Sequence, residues 1–154
     1  MGGESNQCRQ GDIFQTWHNE AFDLLVLFGH RGFNNLDSQL KFEAPLGDER
    51  LTLPYGWTDP EERQAKRFTD GRYWIAFSDR GSAPDGLSDE EVTACMGKAY
   101  RECQRLGLTK VLTNGVEGDK NRRPERVQLL SKLATEQAEI HTTFINSNDV
   151  FLRD

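Results

Sequence analysis

The chain has 154 residues, a net charge of -6, and charged and hydrophobic fractions of 29% and 36%. That length makes one domain that can bury a core without disulfide or metal staples. The negative balance speaks against broad binding to DNA, RNA or an anionic membrane, because each needs a positive field on the protein.

Three cysteines, Cys8, Cys95 and Cys103, cannot all pair within one chain. On a predicted helix Cys95 and Cys103 stand about 12 Å apart along the axis, beyond disulfide reach. All three are expected to be buried small hydrophobes in a reducing compartment. No CxxC or Cys/His cluster suggests a metal, and none is expected. The N-terminus is polar, and no apolar run is long enough to span a bilayer. Met1-Gly2 starts like a myristoylation signal, but Asn6 stands where Ser or Thr is required. The expectation is a cytoplasmic, monomeric domain over residues 1–154, with 1–7 as a tail.

In chain order, Cys8–Phe14 reads as a first strand and Gln15–Ala21 as a turn or short helix. Asp12 reads either as its cap or as a carboxylate that accepts from a ligand amine. Asp23–Phe28, DLLVLF, is a continuous apolar run bounded by turn residues, which predicts a central strand buried on both faces. The loop after it carries Gly29, His30, Arg31, Gly32, Asn34 and Asn35. It follows the carboxyl end of a central strand, where open α/β sheets bind ligands. Glycines permit close approach, His30 and Arg31 suit phosphate, and the asparagines suit a sugar or a water. The other reading is a polar turn.

Leu40, Phe42 and Ala44 alternate with polar residues as in an edge strand. Leu51–Leu53 reads as a further short strand that leads to Tyr55 and Trp57, aromatics suited to stacking on a base or to covering a core edge. Asp59-Pro60 predicts an N-cap and first turn of a charged helix reaching about Phe68. Arg72–Ser78, RYWIAFS, predicts a second buried strand. Ser88-Asp89-Glu90-Glu91 is a capping box opening a long helix, with Val92, Cys95, Met96, Ala99, Tyr100, Cys103 and Leu106 as its apolar stripe and Gly107 at its end. Strand Lys110–Thr113 then enters a loop with Gly115 and Gly118, whose free N–H groups suit a phosphate. A helix from Pro124 to Ala138 and a strand over Ile140–Ile145 complete the order. His141 and His18 read as structural or exposed.

This order predicts an α/β fold, a mixed sheet flanked by helices in three layers. In these features the chain resembles the macrodomains. Gly11-Asp12-Ile13 followed by the apolar strand 23–28 is similar to the family's opening motif and first buried strand. Strand 72–78, the long helix and strand 110–113 match its middle in order and spacing, and loop 115–119 with the last helix and strand matches its phosphate loop and closing elements. The helix, the "LGLTKV" run and the glycine loop are most similar to the branch of terminal ADP-ribose protein glycohydrolases.

The resemblance implies that ADP-ribose or an ADP-ribosylated protein is the ligand and that no cofactor is needed. Asp12 would accept from the adenine amino group, with the Ile13 backbone alongside. Asn114, Gly115, Val116, Glu117 and Gly118 would wrap the diphosphate and distal ribose, and loop 29–35 would hold that ribose. Asp119 would assist removal of ADP-ribose from a carboxylate ester, with Asp37 or Asp79 as substitutes. Where the family has an alanine-asparagine pair and a glycine cluster, this chain has Gly29-His30-Arg31-Gly32. Its approach to the second loop is Leu112-Thr113-Asn114-Gly115 in place of a proline-x-isoleucine-glycine run. Those departures leave two alternatives open: a non-catalytic reader of ADP-ribose, or a protein-interaction scaffold anchored by Tyr55 and Trp57.

Overall fold

The computed structural model of the chain describes residues 7–29, 58–78, 81–82, 86–115 and 123–146. In chain order they form β1 (Gln7–Gln10), α1 (Ile13–Asn19), β2 (Leu24–Gly29), a 3-10 turn (Pro60–Glu62), β3 (Lys66–Arg67), β4 (Tyr73–Ser78), α2 (Asp89–Leu106), β5 (Lys110–Thr113), α3 (Arg123–Thr135) and β6 (His141–Asn146). The six-stranded sheet runs β1-β6-β5-β2-β4-β3. All pairings are parallel except that of β3, which runs antiparallel to β4. The sheet is therefore mixed.

Strand β2 lies between β4 and β5, and Leu24 through Leu27 are completely buried. Alternate residues of the run serve opposite layers. Leu24, Val26 and Phe28 join Val92, Met96, Tyr100, Leu130 and Ala134 under α2 and α3. Leu25 and Leu27 join Ile13, Phe14 and Trp17 under α1. A continuous apolar strand is what such a two-faced position requires, because a polar residue on either face would lose its water. The result is the expected three-layer α/β/α arrangement.

Capping fixes where the helices begin and end. Ser88 and Glu91 make the expected capping box, and Gly107 closes α2 at φ 72°, a left-handed conformation that suits glycine. Asp12 caps α1 through Phe14 N and Gln15 N, so the helix starts at Ile13 and β1 stops at Gln10 instead of reaching Phe14. The charged helix expected after Asp59 is only a 3-10 turn followed by the two-residue β3. Residues 61–65 supply no apolar stripe to dock a helix, and pairing with β4 competes for residues 66–67. Helix α3 ends at Thr135 rather than Ala138, where Glu136 N and Gln137 N turn back onto Leu133 O and Ala134 O.

Longer-range polar groups pin the elements to one another. Asp23 Oδ2 accepts from Thr109 N at 2.9 Å and Lys110 N at 3.0 Å, which ties the start of β2 to the entry of β5. The Tyr100 and Thr142 hydroxyls share a buried hydrogen bond of 2.8 Å between α2 and β6. Glu102, 3% exposed, accepts two bonds from Arg105 and one from Ala65 N. The Arg105 guanidinium holds the Glu102 pKa at about 2, against the upward push of burial and with help from Ala65 N–H, from an ordinary value of 4.5. A folded pKa below the unfolded one means that the stabilisation is complete above about pH 4.5 and is lost as pH falls toward 2. Glu102→Gln should flatten that part of a urea-midpoint titration between pH 5 and 2, while costing about 1–3 kcal/mol at neutral pH.

The cysteines divide. Cys95 and Cys103 are buried, with burial the main cause of pKa values near 12. Cys8 lies exposed on β1 instead of buried, because β1 is the outermost strand of the sheet. A thiol-disulfide reagent should therefore titrate one thiol in the native chain and all three in denaturant. Among the described residues no helix is long and apolar enough to cross a membrane, and no cluster of His, Cys, Asp and Glu could hold a metal ion.

Candidate functional site

Parallel strands deliver their carboxyl ends to one side of the sheet. Here β1, β6, β5, β2 and β4 all do so, placing Asp12, Asn114-Gly115, Gly29 and Ser78 along a common edge. At about 4.8 Å per strand, β1 and β4 stand about 19 Å apart along it. Asp12 stands at one end of this edge and Ser78 at the other.

The ladder between β5 and β2 pairs Lys110–Thr113 only as far as Val26 with Thr113. Beyond it the β5 backbone turns out, and the Asn114 side chain takes over the pairing. Its Oδ1 accepts from Phe28 N at 2.8 Å and its Nδ2 donates to Phe28 O at 3.0 Å. The primary amide thus presents the same acceptor and donor that a backbone peptide would. Asn114 is 1% exposed. Its side chain closes the sheet edge, so ligand contact at this position would fall to the backbone.

Gly115 follows in a buried corner. A Cβ there would lie 3.1 Å from Phe28 Cε1 and 3.5 Å from both Leu130 Cδ1 and Thr113 Oγ1. Gly115 N donates to Thr113 Oγ1 at 3.1 Å. The glycine allows close approach: its backbone runs against the Phe28 ring, which in turn lies 5.5 Å from the Phe77 ring of β4. That contact brings the ends of β5, β2 and β4 onto one packed base.

Asp12 serves α1 as its cap, with Oδ1 accepting from Phe14 N at 2.9 Å and Gln15 N at 3.3 Å. Both bonds fall on the same oxygen, so capping leaves Oδ2 available. The Ile13 side chain is buried in the α1 layer. Gly29 ends β2 opposite Ser78. His30, Arg31, Gly32, Asn34, Val116, Glu117, Gly118 and Asp119 lie outside the described residues, as do Asp37, Asp79, Tyr55 and Trp57.

Two further charged groups, Glu91 and Arg126, are buried. Glu91 is 8% exposed and accepts from Ser82 N at 2.9 Å, Ser82 Oγ at 2.6 Å and Ser88 N at 2.8 Å. Burial pushes its carboxyl up, but the Ser82 hydroxyl and the Ser88 and Ser82 N–H groups outweigh that and leave its pKa below the ordinary value. Arg126 of α3 is also buried and donates from Nη2 to Leu87 O at 2.9 Å. The capping box gave a signal for Glu91; for Arg126 the only one was an arginine a turn before Leu130 on an otherwise inward face.

No protein-family model and no curated protein sequence matches the chain. Solved structures do. A mutant macrodomain from Oceanobacillus iheyensis superposes with a TM-score of 0.60 at 13% identity, over 94% of this chain and 85% of that one. A macrodomain protein from Streptomyces coelicolor gives 0.56 at 10% identity, over 92% and 98%. Likeness at such low identity concerns architecture, and it covers nearly the whole chain. The chain has the macrodomain fold.

Proposed function

We propose that the chain recognises ADP-ribose, free or attached to protein, along the carboxyl edge of its sheet. The observation that carries this reading is the convergence of the β5, β2 and β4 ends on the Phe28–Gly115 corner, in a sheet with the macrodomain fold. Backbone turning away from a strand end beside a glycine offers N–H groups to a diphosphate, and Asp12 Oδ2 offers an acceptor to an adenine amine at the far end of the edge.

Hydrolysis is the finer proposal. Asp119 would act on an ADP-ribosyl ester as a general base or by stabilising an oxocarbenium-like transition state, while the loop N–H groups hold the diphosphate.

Calorimetry with ADP-ribose tests recognition, and release of ADP-ribose from an ADP-ribosylated glutamate peptide tests hydrolysis. Binding with turnover that Asp119→Ala abolishes supports the enzyme. Binding without turnover, unchanged in Asp119→Ala, makes the chain a reader. A melting temperature unmoved by millimolar ADP-ribose rules out the nucleotide site and favours a protein-interaction scaffold, because a ligand at a hundred times its Kd adds about 2.7 kcal/mol of stability.

A further inference from the structure

The backbone after β4 is fastened from two sides. On one, Glu91 at the third position of α2 does more than a capping-box glutamate. Besides the Ser88 N–H it takes both the N–H and the hydroxyl of Ser82, nine residues before it. On the other, Arg126 of α3 reaches Leu87 O, and its Nε lies 3.4 Å from Asp89 Oδ1. The fastened strands of the turn touch each other: a Cβ on Gly81 would lie 2.8 Å from Gly86 O and from Leu87 Cα.

The α3 attachment continues to the other side of the edge. Arg126 and Leu130 are four apart and share a helix face. Leu130 Cδ1 is 3.5 Å from where a Gly115 Cβ would stand. The neighbours thus run from Gly115 to Leu130, along the α3 face to Arg126, through its bond to Leu87 O, and on to Gly81, Ser82 and Glu91. Closing a short turn does not require a buried carboxylate and a buried guanidinium, both of which are costly to desolvate. Their joint placement is explained if the turn must be held in one position relative to α3 and β5.

We propose that Glu91 and Arg126 are positioning residues that lock Gly81-Ser82 and Gly86-Leu87, beyond β4, to the Gly115 corner after β5, so that these two borders of the site move as one body. The consequence for binding rests on the ADP-ribose reading; the mechanical lock does not.

The test uses Glu91→Gln, Arg126→Met and the milder Ser82→Ala in the full chain. Backbone amide exchange without ligand reads the lock, because Ser82 N, Ser88 N and Gly115 N are each hydrogen-bonded. Arg126→Met should raise exchange at Ser82 as well as at Gly115, and Glu91→Gln should raise it at Gly115, which Glu91 does not touch, by about tenfold each. Ser82→Ala should move Gly115 in the same direction and by less. Changes confined to the substituted residue's own contacts overturn the lock, and Ser82→Ala decides the matter if the other two fail to fold.

Calorimetry with ADP-ribose adds the second arm. Each single substitution should weaken binding about tenfold, and the double Glu91→Gln/Arg126→Met no more than the worse single, because both release the same turn. Losses that multiply indicate two independent structural roles and count against the lock. No heat from the wild-type chain would end the ADP-ribose reading, and the exchange arm would still decide the lock.

Discussion

Asn114→Ala should lower stability by about 2–5 kcal/mol. The side-chain amide is a rung of the sheet, pairing with both polar groups of Phe28 at 2.8 and 3.0 Å. Alanine leaves a buried N–H and a buried C=O without partners, each costing about 1–3 kcal/mol, and opens a space the size of an amide. Asn114→Asp separates these effects. It keeps an acceptor for Phe28 N but turns a carboxylate oxygen toward Phe28 O, inside a site with almost no water. It should therefore be at least as destabilising at neutral pH and should recover part of the loss in acid, where a protonated carboxyl can donate again. Urea midpoints of the two variants at pH 7 and pH 4.5 check this. Equal midpoints at both pH values, or a loss under 1 kcal/mol for alanine, would remove the amide from the sheet. A drop of this size should also lower the melting temperature by roughly 5–15 °C.

Asn114 marks a limit of what the sequence could tell. An asparagine just past a strand and just before a glycine reads as a loop residue facing a ligand. Whether its amide faces a ligand or a neighbouring strand depends on Phe28, 86 residues earlier, and no local pattern carries that information. Glu91 was half legible. The capping box is a local motif; the bonds to Ser82 depend on the close approach of Gly81 to Gly86 and Leu87, which no local pattern announces. The three layers were easier to read, because burial on two faces writes itself as an unbroken apolar run in β2, and burial on one face writes itself as the stripe of α2. The 3-10 turn and β3 read in the sequence as one helix because caps and charge suggest where a helix can start, whereas docking decides whether it continues.

Gly81→Ala should cost about 2–3 kcal/mol, and the size of the loss follows from what its methyl group would meet. The nearest atom, Glu91 Oε1, ends a side chain and could withdraw. Gly86 O and Leu87 Cα, both at 2.8 Å, are backbone and cannot move without shifting the turn. Leu87 is held in the same core cluster as Phe28 and Phe77, and its carbonyl by Arg126, so such a shift would be resisted from two directions. The two kinds of neighbour predict different rescues. If the carboxylate were the obstacle, Glu91→Ala would relieve Gly81→Ala and the double substitution would be no worse than Glu91→Ala alone. With backbone as the obstacle, the double should remain less stable than Glu91→Ala by about 1 kcal/mol or more. A four-member urea-denaturation cycle measures that difference, and full rescue by Glu91→Ala would show that the turn is shaped by the carboxylate alone. Amide exchange at Ser82 and Ser88 in the same variants locates the damage: Gly81→Ala should raise both, since the strands of the turn can no longer close on each other around Glu91.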